Sequence, residues 1–342
     1  MVFETECYQQ LKSDLSISNS NLVALIEDAI ANIKIKADLT IVHSDYQPLK
    51  VSSQYQEYLQ DISVEERDRY LVNQLQQYLY AIFSGKIKPN ANPSSSNSVR
   101  GLNLQNEIIN DSNSWHQTKF FARLTECNHS QGYKDSGWLL VENERDGQYC
   151  QVSKDELTLY VDSQKHFPKS HTQLQVGDTV SITMPPNLVE RGLYVAVGNA
   201  GSVGKLPLSQ ESAILQLYFN VDAKTSLLLL DNLTQQLNSC KIPFDFEIPY
   251  SEADFERLDA PVLEFMKADW LKVKAIVEDI YSRNITSFQS QIPFFCQQLD
   301  IGLGLAEKPN SVLGNNWKNL GKKICFEIAI SIVKLNNKCN IS

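Results

Sequence analysis

Lys154 sits in the run Val152-Ser153-Lys154-Asp155-Glu156-Leu157, at a strand–turn–strand junction. A lysine acts as a general base once burial or a neighbouring cation lowers its pKa. On a turn it is a solvated charge, and the local sequence favours that. His166 and His171, with Lys165 and Lys169 beside them, form a small basic patch. A metal site needs a third ligand at a defined spacing, and none is visible, so neither a metal nor another cofactor is expected. His43, His116 and His129 lie among polar residues and read as solvated.

Gly198-Asn199-Ala200-Gly201-Ser202-Val203-Gly204 follows a strand pattern. Backbone amides of such a loop can cradle a phosphate. No Lys-Ser/Thr follows and no helix pattern starts at once, so the spacing favours a tight structural turn. Lys318, Lys322 and Lys323 surround Trp317 at a helix start and read as a solvated face with an aromatic anchor. There is no GxSxG nucleophile elbow and no kinase signature set. The seven cysteines are scattered, without a CxxC pair, which reads as reduced, mostly buried thiols.

The elements that must position these residues divide the chain in three. The segment 1–85 is helical. Leu22, Val23, Ile26, Ala29, Ile30 and Ile33 mark one apolar face. A second helix starts after Ser63, with Glu66 completing a capping box, and Gly85 stops it. Residues 86–116, with Pro89, Pro93 and a Ser/Asn cluster, read as a flexible linker or loop. From Thr118 a period of two is expected to start an antiparallel sheet of about six strands. Its candidates after that first run are 138–142, 149–152, 157–161, 179–184, 193–197 and 215–219. Later come a helix capped near Asp222, strands at 244–248 and 262–266, a helix through Val273 and Ile280, and a last amphipathic segment over 320–335. Strands and helices cluster rather than alternate, so the fold class is α+β: an antiparallel sheet with packed helices behind a helical N-terminal segment.

The 342 residues are 42% hydrophobic with a formal net charge of -9. That is enough for a sizeable core, and it argues against nucleic acid or an anionic membrane as partner. No apolar run approaches the roughly 20 residues of a membrane span, and the N-terminus lacks a signal-peptide pattern, so the expected location is cytoplasmic.

Gly192–Gly201 (GLYVAVGNAG), Leu217-Tyr218-Phe219-Asn220 and Ile242-Pro243-Phe244-Asp245-Phe246 occur in this order, with Phe255-Glu256-Arg257-Leu258-Asp259 and Gly302–Pro309 beyond them. This ordered set resembles the HopA family of type III effectors, relatives of which act as lyases in lanthipeptide and thioamitide maturation. The similarity runs from about Phe120 to Ala329, so 117–342 is expected to be a HopA-like α+β domain. The resemblance implies elimination of phosphate from phosphoserine or phosphothreonine in a precursor peptide, after a kinase-like partner has installed it. It makes Lys154 the base, Arg257 a phosphate-binding residue and His166 the candidate acid; Arg191 and Lys323 are candidates to bind the phosphate from shifted positions.

The chain departs from that pattern. Gln216 and Leu188 stand where the family has basic residues, and Glu247 where it has a lysine. Phe295-Cys296-Gln297-Gln298 replaces Phe-Thr-Lys-Pro, Lys318-Asn319-Leu320-Gly321 replaces Glu-Ser-Phe-Gly, and Ile324 replaces an arginine. Two functions follow: a phosphopeptide lyase of reduced activity, or a non-catalytic subunit binding a peptide or protein. Secretion as an effector is a third.

Overall fold

The computed structural model describes residues 20–51, 53–84, 119–144, 148–155, 157–167, 174–190, 192–205, 213–309 and 318–341. The proposed linker, His116, His171, Arg191 and Trp317 lie outside them. No helix among the described residues is long and apolar enough to cross a membrane.

The N-terminal segment is helical as its periodicity implies. Helix α1 (Ser20–Asn32) leads to a two-stranded ribbon of β1 (Lys34–Ile35) and β2 (Ile41–Val42), then α2 (Ser53–Asp61) and α3 (Val64–Phe83). Ser63 caps α3 through a full capping box. Its hydroxyl accepts from the Glu66 amide at 3.2 Å, and the Glu66 carboxylate accepts from the Ser63 amide.

Residues 119–127 correct the sequence reading. They form a helix, α4 (Lys119–Cys127), and its buried residues are Phe120, Phe121 and Leu124. Those positions share one side of a helix at 3.6 residues per turn, whereas a strand would have split Phe120 from Phe121.

The expected strands exist but belong to two sheets, not one. A four-stranded antiparallel sheet, ordered β5-β4-β3-β6, holds β3 (Tyr133–Asn143), β4 (Tyr149–Lys154), β5 (Leu157–Asp162) and β6 (Thr179–Met184), with the short α5 (Ser163–His166) after β5. A seven-stranded antiparallel sheet runs β12-β13-β9-β11-β10-β8-β7. Its strands are β7 (Asn187–Glu190), β8 (Leu193–Val197), β9 (Ile214–Phe219), β10 (Phe244–Pro249), β11 (Val262–Met266), β12 (Gln297–Asp300) and β13 (Leu303–Glu307). Helices α6 (Ala223–Ser239) and α7 (Trp270–Asn284) fall between strands, and α8 (Leu320–Ile341) ends the fold. Asp222 caps α6 as expected, accepting from the Thr225 amide at 2.7 Å.

Strand alternation gives the large sheet two unlike faces. Phe244, Phe246, Ile248, Leu263, Phe265, Leu215, Leu217 and Phe219 point one way, into a core shared with α4, α6 and α7. The opposite face is covered by two different bodies. Over β8, residues Leu193, Val195 and Val197 pack against the four-stranded sheet, including Tyr133 and Trp138. Over β9 and β13, Tyr218 and Ala306 pack against α1, α3 and α8. The N-terminal helices thus share a core with the C-terminal helix. Between these two covers lies a row of buried polar side chains. Cys150, Cys296 and Cys325 are buried thiols, while Cys127 is half-buried and Cys240 exposed.

Candidate functional site

Strand register builds the polar row directly. Asp245 on β10 lies opposite Glu264 on β11, and Glu264 lies opposite Gln216 on β9. One step along, on the same face, Glu247 pairs with Val262 and Val262 with Tyr218. Asp245, Glu247, Glu264 and Gln216 are all buried. Buried carboxylates require partners, and each has them.

Gln216 Nε2 donates to Glu264 Oε1 at 2.7 Å and to the Lys318 carbonyl at 2.8 Å, and Tyr218 donates its hydroxyl to Gln216 Oε1. Lys308 Nζ donates to both Glu264 oxygens, at 3.0 and 2.7 Å. Lys318 Nζ lies 2.8 Å from Glu247 Oε2, an ion pair at an angle poor for a hydrogen bond. Burial pushes the Glu247 carboxyl up from its ordinary value, and Lys318 pulls it partly back.

A second branch joins the sheet to the helices. Arg257 grips Asp259 with both ends of its fork, Nε to Oδ1 at 2.6 Å and Nη2 to Oδ2 at 3.0 Å. Tyr80 of α3 donates to Asp259 Oδ2 at 3.0 Å, and Asn319 Nδ2 donates to the Tyr80 hydroxyl at 2.7 Å. Asn319 also accepts from the Lys322 amide at 2.9 Å, capping α8. Lys322 Nζ sits 5.6 Å from the Tyr80 ring. Burial opposes charge on Arg257, but Asp259 outweighs it and raises the guanidinium pKa. Burial, then Asp259, pushes the Tyr80 phenol well up.

The Gly-rich loop turns its amides inward. Asp245 Oδ2 accepts from Ser202 Oγ at 2.8 Å and from the amides of Val203 and Gly204 at 3.0 and 3.3 Å. A carboxylate of the chain itself therefore occupies the cradle that a phosphate would need, in keeping with the structural-turn reading. Gly198 has no room for a side chain, since an added Cβ would meet the Phe244 ring at 2.8 Å. Asp245 is pushed up to about 6, mainly by burial, with Glu264 and Glu247 adding to it against the Ser202 and Gly204 hydrogen bonds.

Lys154 ends β4, and its ammonium donates to Asp135 Oδ1 at 2.7 Å and to the Ser136 carbonyl at 2.8 Å, with the Trp138 ring 5.9 Å away. His166 ends α5, and its Nδ1–H donates to the Thr183 carbonyl at 2.8 Å. Lys323 is half-buried on α8. Of the candidate site residues, Lys154 and His166 belong to the small sheet's side, Arg257 to the segment before β11 and Lys323 to α8, while Arg191 lies outside the described residues. His43 is buried on Asp28 at 3.1 Å rather than solvated, and His129 pairs with Asp231 at 2.8 Å.

Geometry also sorts the departures. Glu247 and Lys318 stand where the resemblance implies a lysine and a glutamate, and they pair with each other, so two departures are one exchange of charge. Leu188 on β7 and Gln297 on β12 lie on opposite edges of the seven-stranded sheet. Six inter-strand steps make about 29 Å, too far for both to have met one phosphate. Ile324 is buried in the α8 core.

The sequence reading missed Glu264, Lys308 and Tyr80, and took Gln216 only as a lost basic residue. The available signal was a polar residue inside an apolar strand run, Val262-Leu263-Glu264-Phe265 and Ile214-Leu215-Gln216-Leu217.

No curated protein matches the chain. Among solved structures, the effector protein from Pseudomonas syringae pv. tomato strain DC3000 is similar at 14% identity, over 81% of this chain and 93% of that one. The TM-score is 0.37, and at that value the likeness bears on neither fold nor site. Residues 184–338, which carry β7 to β13, most of α8 and nearly all of the buried polar cluster, match the HopA1 effector protein family.

Proposed function

We propose that this HopA-like chain binds a peptide or protein partner and does not eliminate phosphate. One observation carries the reading: four of the described cations that a phosphate would call on already lie on carboxylates. Lys154 is on Asp135, Arg257 on Asp259, Lys308 on Glu264 and Lys318 on Glu247. A dianion is held by several charge-assisted donors at once. Freeing Arg257, Lys308 or Lys318 leaves a buried carboxylate uncompensated, which costs about 3–5 kcal/mol. The Gly-rich loop is likewise taken up by Asp245.

A phosphoserine/phosphothreonine lyase is the second reading. It draws on the convergence of Arg257, Lys308 and Lys318 around one sheet face and the start of α8. Its partners would be a precursor peptide and the kinase-like protein that phosphorylates it. Incubation with a phosphothreonine peptide, read by mass spectrometry, separates the two: loss of phosphoric acid supports the lyase, and an intact phosphopeptide that the chain still binds supports binding alone.

A further inference from the structure

Among the described residues, strand β5 forms one edge of the four-stranded sheet and pairs only with β4, in an unbroken register from Leu157 to Asp162. Protein edges are commonly blunted by lysine, proline or a bulge. This one, Leu-Thr-Leu-Tyr-Val-Asp, has none of the three.

The sheet's inner face packs on β8, while its outer face carries exposed apolar and aromatic groups. In register across it lie Leu139, Ser153 and Thr158, then Glu142, Gln151 and Tyr160, then Tyr149 and Asp162. The Glu144 amide donates to the Tyr149 carbonyl at 3.0 Å and extends the last row. Tyr149 and Tyr160 stack with ring centroids 5.6 Å apart and planes 8° from parallel. Tyr160 is 60% exposed and Leu139 46%. Glu142 and Glu144 are exposed, with no cation of the described residues paired to either, while Lys165 stands 3.6 Å from Asp162.

We propose that this edge and outer face bind an extended peptide carrying arginine or lysine, added as a fifth strand beside β5. The inference rests on reading the chain as a peptide binder and names where the peptide lies. Main-chain hydrogen bonds to a free edge supply affinity, and alternate side chains supply specificity. A guanidinium laid back from the added strand covers Tyr160 and Tyr149 and points toward Glu142 and Glu144. Arginine both stacks on aromatic faces and pairs with carboxylates. Charge complementarity selects the occupant: a second copy of this chain would bring the same acidic residues face to face.

Fluorescence anisotropy of the full chain with a short fluorescein-labelled peptide alternating valine and arginine tests the proposal. The same peptide with glutamate for arginine is the control. The arginine peptide is expected to bind at least about tenfold tighter than the glutamate peptide, with affinity falling as salt rises. Tyr160→Ser and the double variant Glu142→Gln/Glu144→Gln, all at exposed positions, are each expected to weaken it about tenfold. Equal affinity for the two peptides, or no binding of the arginine peptide, overturns the proposal. Affinity unchanged in both variants overturns this surface and leaves the chain a peptide binder elsewhere. The binding reading itself falls separately, on release of phosphoric acid from a phosphopeptide.

Discussion

Glu247 of β10 and Lys318 at the approach to α8 form a largely buried ion pair, 2.8 Å between Oε2 and Nζ, although 71 positions separate them. Their charges are reversed from those the family resemblance implies, so either order is expected to be tolerated provided the pair is kept. Glu247→Lys or Lys318→Glu alone is predicted to cost about 3–5 kcal/mol, by leaving like charges together in a low-dielectric site. The double exchange should recover at least half of that loss. Urea denaturation of the four proteins checks it; additive losses would mean that the contact carries no coupling.

Asp245 makes stability depend on pH in a direction unusual for a carboxylate. Its folded pKa, about 6, lies above the ordinary aspartate value of 3.8. Between these values the folded state binds more protons than the unfolded, so this group adds stability as pH falls from 7 through 6 toward 4. The size is on the order of 3 kcal/mol. Asp245→Asn keeps one oxygen acceptor for the loop and removes the titration. The unfolding free energy of the wild type minus that of the variant should therefore rise steadily from pH 7 to pH 4.5; a constant difference would show that Asp245 does not titrate there.

Tyr80 ties the N-terminal helices to the sheet. Tyr80→Phe deletes the donor to Asp259 and the acceptor for Asn319. Unsatisfied buried groups cost about 1–3 kcal/mol each, so a loss of about 2–4 kcal/mol is expected in thermal or urea unfolding. A loss under about 0.5 kcal/mol would be that of an ordinary surface substitution and would contradict the network.

Gly321 lies in the first turn of α8, where an added Cβ would collide with the Phe295 ring. Gly321→Ala should destabilise by about 1–3 kcal/mol despite alanine's higher helix propensity. The Gly321→Ala/Phe295→Leu pair should recover part of the loss if the ring is the cause.

Local chemistry was readable and long-range chemistry was not. The α3 capping box lies within four residues, and the bounds of β6, β8 and β11 follow from apolar runs and their flanking turns. Helix α4 was misread because Phe120, Ala122 and Leu124 also fit a period of two; the adjacent pair Phe120-Phe121 was the helical signal. Which sheet a strand joins left a fainter trace. Strands β8, β9 and β10 are buried throughout, while β3 alternates between buried and exposed positions. Arg257 and Asp259 are two residues apart, so a pair was visible there. Lys318 and Glu247 meet only through the packing of α8, and Glu264 gains Lys308 only through the β11-β9-β13 order. Residue type without partner therefore overstated the missing positive charge.

The central claim is that Arg257, Lys308 and Lys318 are held by carboxylates and do not leave them for a phosphate. The most direct measurement is a time course of the purified chain with a phosphothreonine peptide, followed by mass spectrometry for the dehydrated product, beside isothermal titration with inorganic phosphate. The account predicts unchanged phosphopeptide and no saturable phosphate binding. Steady accumulation of the dehydroamino acid, abolished by Arg257→Ala, would contradict it.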